Sequence, residues 1–318
     1  MKKFIAVLLA ASVLAAAGCA KVVGPYYLQQ EEYKEGVRVM GERLRENPED
    51  ADSAYYTGRY YLALNEPRKG LVYLEKAVEL APGNADYVFW TGVAYWALMD
   101  FDRERAAYEK AVSLDPNHIS AHLYLGHGYV DRGQWAQALK EYDVVLGLDP
   151  YNPEALYNRA RVLGELDRKS GEIAAWKRFL EYYPDGSMAM TATEQLNLQG
   201  DFSYRNHIIG RRNVTLKSLT FKPGTSVPDA GGRDSLAVLG AMMKVNSDLT
   251  VHIVAYVKGD ATLAKARAVA LRDYMLNGNP GIGRERLPLS WFGTAEKVEV
   301  GGGVVALDQA VNFITEVR

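Results

Sequence analysis

The sequence predicts an α-solenoid of stacked helical hairpins followed by a small α+β domain. Two observations predict it. Prolines recur at 48, 82, 116, 150 and 184, a strict spacing of 34 residues, and periods of 20–50 residues mark repeat architectures. Past Gly200 that period stops, and short runs that alternate apolar and polar residues take over. The charge changes sign with the pattern: residues 20–198 hold 20 Lys/Arg and 28 Asp/Glu, whereas residues 199–318 hold 15 and 11.

Composition narrows the function classes. The 318 residues are 48% hydrophobic and 24% charged, with a net charge of −2. A general nucleic-acid binder would carry a basic footprint, so no nucleic-acid partner is expected. With 29 Gly and 12 Pro the chain is neither collagen-like nor disordered. One cysteine excludes an internal disulfide and any Cys-based zinc cage.

That cysteine ends the first segment, MKKFIAVLLAASVLAAAGC. Lys2 and Lys3 precede an apolar run from Phe4 to Leu14, too short to span a bilayer and of signal-peptide length. Small residues Ala16-Ala17-Gly18 lead directly into Cys19. This resembles the lipobox of bacterial lipoproteins, and the resemblance implies a signal peptide over 1–18 and lipidation of Cys19. Several acyl chains anchor a protein stably, which makes the membrane a partner. Ala20 in place of Asp points to the outer membrane by the enteric sorting rule. The alternative is a plain cleaved signal with a chance cysteine. Residues 19–27 then read as a linker.

Between residues 28 and 198 the period fixes the elements. Gly58, Gly92 and Gly126 keep the 34-residue step, with Ala160 following; so do Tyr61, Tyr95 and Tyr129, with Leu163 following. Leu74, Tyr108, Tyr142 and Trp176 share one later position, and Ala77, Ala111, Val145 and Phe179 another. Each unit accommodates two helices in contact at its small residues, and the proline sets the turn after the second. One hairpin cannot bury its own apolar face, so neighbours must stack. These residues resemble the tetratricopeptide repeat (TPR), with units at 51–84, 85–118, 119–152 and 153–186. Residues 28–50 read as a half-repeat with an unpaired second helix, and 187–198 as a capping helix.

The resemblance implies a concave groove for an extended peptide or partner helix. The positions that carry over are Tyr55, Arg59, Phe89, Trp96, Leu123, His127, Tyr157 and Arg161, an aromatic surface with two arginines of the composition enriched at hot spots. The alternative for each is packing between neighbouring helices. His118, His122 and His127 lack a carboxylate pair at metal-site spacing, so neither metal nor cofactor is expected.

After a linker at 199–212, residues 213–318 read as strand Val214–Phe221, helix Asp234–Val245, strand Leu249–Val257, helix Ala261–Leu276, and strands Leu287–Phe292 and Ala310–Val317. Gly301-Gly302-Gly303 reads as a flexible turn. The βαβαββ order, Phe221, the LTVHIVAYV strand and the Leu263-Ala264-Lys265-Ala266-Arg267-Ala268 helix running to Tyr274 resemble the OmpA-like peptidoglycan-binding domain. In that family an Asp after the second strand grips the ammonium of the wall diamino acid, and the helix Arg its carboxylate. Here Arg267 fills the arginine position and Lys258 stands in place of the acid, with Asp260 two residues on. A like-charge contact repels the ammonium. The remnant, Lys258, Asp260 and Arg267, either keeps some peptidoglycan affinity or belongs to a fold kept after its ligand was lost.

The functional expectation is a non-enzymatic outer-membrane lipoprotein, a periplasmic scaffold that binds an envelope protein or peptide. The alternative is a peptidoglycan-binding anchor joining outer membrane and wall. No nucleophile with a base, metal cluster or paired carboxylates supports an enzyme.

Overall fold

A computed structural model describes residues 20–317; the expected signal peptide and Cys19 lie outside the described residues. Two compact units divide the chain, one ending at Ala155 and the other beginning at Leu156. No helix among the described residues is long and apolar enough to cross a membrane.

The first unit consists of antiparallel helices: α1 (Ala20–Gln29), α2 (Tyr33–Glu46), α3 (Ala51–Ala63), α4 (Pro67–Leu80), α5 (Ala85–Ala97), α6 (Phe101–Leu114), α7 (Ile119–Asp131) and α8 (Trp135–Leu148), with the first turn of α9 (Pro153–Glu165). The repeat dictates the helix starts. Asp50, Asn84, His118 and Asn152, each 34 residues apart, turn a side chain back to accept from the amide of Ser53, Tyr87, Ala121 and Ala155. Each thereby satisfies one of the orphan donors of a helix N-terminus. The repeat dictates the hairpin turns as well, because Glu31, Asn65, Met99 and Gly133 all take positive φ, at 57°, 59°, 61° and 67°. A single left-handed residue lets one helix end and the chain reverse.

Glu31 belongs to that series, and it corrects the expected half-repeat. Helix α2 is not unpaired; residues 20–27 of the segment read as a linker belong to α1, which packs against it. Ala20, Met40 and Tyr60 form a common core there, and the Tyr60 hydroxyl donates to the Gly24 carbonyl at 2.8 Å. Pro25 inside α1 disguised the helix in the sequence. Elsewhere the small positions act as expected. A Cβ on Gly92 would lie 2.5 Å from the Tyr108 ring, and one on Gly126 2.6 Å from that of Tyr142.

In the second unit α9 continues to α10 (Lys169–Tyr182) and α11 (Ser187–Leu198). Trp176 and Phe179 are each 1% exposed, filling the bulky and small positions of the period. The expected linker at 199–212 instead contains β1 (Tyr204–Ile209), hairpin partner of β2 (Arg212–Lys217). The pairing ends at Tyr204↔Lys217, which is why the strand expected to reach Phe221 stops at Lys217. Then come α12 (Ala230–Val245), β3 (Leu249–Val257), α13 (Ala261–Gly278), β4 (Leu289–Phe292), the hairpin β5 (Glu296–Val300) and β6 (Gly303–Leu307), and β7 (Gln309–Val317). Strand β3 is central, parallel to β4 and antiparallel to β7. Leu239 and Met243 of α12, Val251 and Ile253 of β3, and Ala268 and Leu271 of α13 form its core. Gly301 and Gly302, at φ 58° and 80°, are the two-residue turn of the β5–β6 hairpin rather than a loose segment.

Candidate functional site

Helices α3, α5 and α7 carry the groove positions of the first unit, and their exposures sort them. Tyr55, Phe89 and Leu123 are only 7%, 5% and 7% exposed. Tyr55 stacks on Tyr87 with centroids 4.7 Å apart, and Phe89 meets Tyr108, His118 and Tyr124. These three therefore pack neighbouring helices and offer a ligand little surface. That corrects their assignment as groove contacts. The reason is geometric: the Tyr55 and Phe89 rings lie against aromatic side chains of neighbouring helices and the Leu123 side chain is buried, and apolar burial stabilises the fold.

Arg59 is half-buried; its guanidinium lies 4.0 Å from the Trp90 ring centroid, and Nη1 donates to the Tyr55 hydroxyl at 3.2 Å. His127 lies against Tyr124 and Tyr142, 3.7 Å from a Glu154 oxygen. Burial holds its imidazole below the ordinary histidine value, with Glu154 and Asp131 opposing. Trp96 is the open one. At 54% exposure it presents about half of its surface to solvent near the C-terminal end of α5, followed by the exposed Met99 in the turn and Phe101 at the start of α6.

In the second unit Tyr157 and Arg161 come together on the wall of one polar cleft of about 310 Å³. Tyr157 stands edge-on to Trp176 at 5.2 Å, and Arg161 is exposed, its Nη1 donating to Asn158 Oδ1 at 3.2 Å. Glu172, 6% exposed, lies on the cleft floor and accepts from Trp176 Nε1 at 3.2 Å and Gln199 Nε2 at 3.1 Å. Thr191 and Gln195 complete the lining from α11. The cleft thus has a cation at its mouth and a hydrogen-bonded carboxylate below, a lining suited to a polar peptide segment. The sequence reading missed Glu172, Thr191, Gln195 and Gln199. One signal was available: the 34-residue series Gly70, Glu104, Ala138, Glu172 puts a carboxylate in two repeats at a position that is small in the other two.

The other histidines resolve as structural groups, and two of them, His122 and His207, shift in opposite directions. His118 caps α7 through Nδ1, and its Nε2 lies 3.1 Å from Asp86. His122 meets acceptors at both nitrogens, Glu141 at 2.6 Å and the Pro116 carbonyl at 3.1 Å; the Glu141 bond raises its pKa. Among the described residues no three His, Cys, Asp or Glu side chains gather as a metal site. His207 of β1 is 7% exposed against Phe313, and burial, aided by Arg205, pushes it down to about 4.

The signs follow from linkage. His122, raised, stabilises fully below the unfolded value of ~6.5 and loses that as pH rises through its folded value. His207, lowered, binds a proton more readily unfolded, so stability falls as pH drops from ~6.5 towards ~4, by about 3 kcal/mol in all. Urea midpoints at pH 7 and pH 4.5 are expected to differ less for His207→Leu than for the parent. Equal differences would show that His207 is not the titrating group.

The three C-terminal positions do not form one site. Lys258 is exposed and pairs with Asp308 at 3.1 Å. Asp260 caps α13 by accepting from the Leu263 amide at 2.8 Å, which corrects its expected role as a free substitute acid. Arg267 is 2% exposed; Nε donates to the Thr225 carbonyl at 3.0 Å, Nη1 to Gln309 Oε1 at 2.9 Å, and its plane covers Phe221 at 4.4 Å. Burial lowers its pKa, with Asp260 opposing.

Known families account for the helical repeats. Family models described as tetratricopeptide repeat, TPR repeat and tetratricopeptide repeat match residues 57–119, 126–167 and 154–186. The chain carries tetratricopeptide repeats, a helical scaffold suited to protein–protein interaction. Among solved structures it is similar to MamA (18% identity over 50% of this chain and 94% of that one, TM-score 0.46). It is also similar to YrrB, described as a TPR protein with an unusual peptide-binding site (19%, 54% and 88%, TM-score 0.46). A MamA fragment from Desulfovibrio magneticus RS-1 gives 19%, 47% and 83%, with a TM-score of 0.43. No curated protein matches the chain.

Proposed function

We propose that this chain is a non-enzymatic outer-membrane lipoprotein whose repeats hold an envelope protein or peptide on the periplasmic side. One observation carries the binding role: Tyr157 and Arg161 share a polar cleft floored by buried Glu172. Arg161 at the mouth favours an acidic group on the partner. A photoreactive amino acid placed at Arg161 in intact cells should crosslink one discrete partner, while the same probe at exposed Lys110 of α6 should not. Equal, diffuse crosslinking from both positions would contradict the reading. The membrane attachment rests on Cys19 and the segment before it. Cys19→Ser is expected to release the chain from membranes or leave it unprocessed; a variant processed and sedimenting like the parent would rule lipidation out.

The second reading is a wall anchor. The arrangement of β3 between a parallel β4 and an antiparallel β7 supports an OmpA-like ancestry over residues 213–318. The Arg267 guanidinium, however, already donates through Nε to Thr225 and through Nη1 to Gln309 and covers Phe221, which leaves only the buried Nη2 without a partner. A wall-peptide carboxylate has to reach that nitrogen at a residue only 2% exposed or displace the groups already held, and Lys258 repels the ammonium. The full chain is therefore expected to show no saturable calorimetric binding of a diaminopimelate-containing peptide. Saturable binding abolished by Arg267→Ala would establish the anchor instead.

A further inference from the structure

A cleft of about 540 Å³ opens in the second unit between the β1–β2 turn and the C-terminal end of α12. Its walls are apolar: Ile209 and Leu249 form the floor, and Met242 and Val245 the side. Val245 is 91% exposed, so one face of the cleft is uncovered hydrocarbon. Arg211 and Arg212 stand on the opposite side, both exposed. Among the described residues neither has an ion-pair partner. The carbonyls that end α12 would normally make this a negative helix terminus. Here Arg286 neutralises them, its Nη2 donating to Met243 at 2.9 Å and to Asn246 at 2.6 Å. Lys244 adds a further exposed cation. Asp248 is the acid next to the cleft in sequence; its carboxylate accepts from Ser247 and is exposed.

Apolar walls with two unpaired guanidinium groups at the rim call for a ligand that is hydrocarbon over most of its length and anionic at one end. We infer that this cleft binds a single-chain anionic amphiphile, a long-chain carboxylate, with its chain along Met242 and Val245 and its carboxylate on Arg211 and Arg212. The volume lies within the ~300–1,000 Å³ of small-molecule sites. Guanidinium forks suit a carboxylate because two parallel N–H···O bonds fix its plane. A concave cleft accepts one chain, whereas a bilayer surface needs a protruding contact, so a free amphiphile is favoured over membrane docking.

The test is photolabelling of the full chain with palmitate bearing a diazirine on its chain, followed by peptide mapping. Saturable labelling of the peptide holding Met242 and Val245 is expected, competed by palmitate and not by butyrate. Arg211→Glu with Arg212→Glu, both at exposed positions, should weaken that labelling by about tenfold or more in half-saturating concentration, the loss of ~1.4 kcal/mol or more. Ala241→Trp, which fills the cleft from an exposed helix position, should abolish it. Labelling confined to other peptides, or labelling of this one unchanged by charge reversal, would overturn the assignment. Arginine-dependent sedimentation with phosphatidylglycerol vesicles without labelling by free palmitate would likewise overturn it, in favour of a membrane contact.

Discussion

Glu296→Ala is expected to destabilise the second unit by about 3–5 kcal/mol, because it strands a buried guanidinium. Arg205 of β1 and Glu296 of β5, 91 residues apart, form a two-armed pair at 2.7 and 3.0 Å. Their side chains are only 12% and 6% exposed. In such a place the pair is screened little, and each charge depends on the other for solvation. The pair itself need not be strongly stabilising, since two desolvation costs oppose its attraction. Replacing both partners by apolar residues of similar size, Arg205→Met with Glu296→Leu, should therefore recover most of the loss. Urea unfolding of parent, single and double variants measures this directly. A loss below about 1 kcal/mol in the single variant would place the pair among solvated surface bridges.

Trp96→Ala is expected to weaken partner binding by about thirtyfold, the ~2 kcal/mol typical of a hot-spot aromatic. Its indole is 54% exposed, so the fold depends on it little and the melting temperature should hardly move. Arg161→Glu should act independently in the second unit, reversing the charge at the mouth of the polar cleft; loss of a desolvated charge contact typically costs about 2–5 kcal/mol. Tyr55, Phe89 and Leu123 make the contrast. Their truncation to Ala should lower stability first, by the several kcal/mol usual for core sites, with any binding loss following from unfolding.

The first unit was largely legible because each repeat states the same geometry. Proline, glycine and capping positions recur at one spacing, and the caps at 50, 84, 118 and 152 and the left-handed turns at 31, 65, 99 and 133 obey it. Helix α1 escaped because Pro25 interrupts its run, although Glu31 already stood in register with the later turns. In the second unit the long helices and β3 were readable from their apolar spacing. The β5–β6 hairpin had a readable signal, the three glycines 301–303 between Val298 and Val300 on one side and Val304 and Val305 on the other, although they read as a flexible turn. The β1–β2 hairpin had less, since Arg211-Arg212-Asn213 masks its pattern. Chemistry that depends on chain closure was not readable at all. Nothing local tells that Glu296 meets Arg205, or that Gln199 of the α11 end reaches Glu172. Exposure decided the groove positions, and a repeat resemblance gives the side of a helix without telling how far its neighbour covers it.

Titration calorimetry of the full chain against the partner segment defined by crosslinking from Arg161 is the most direct measurement, made on the parent and on Trp96→Ala with Arg161→Glu. Binding through the repeats predicts an affinity loss of about a hundredfold or more in the double variant, with the melting temperature within about 2 °C of the parent. Parental affinity in a folded double variant would show that the partner is held elsewhere on the chain.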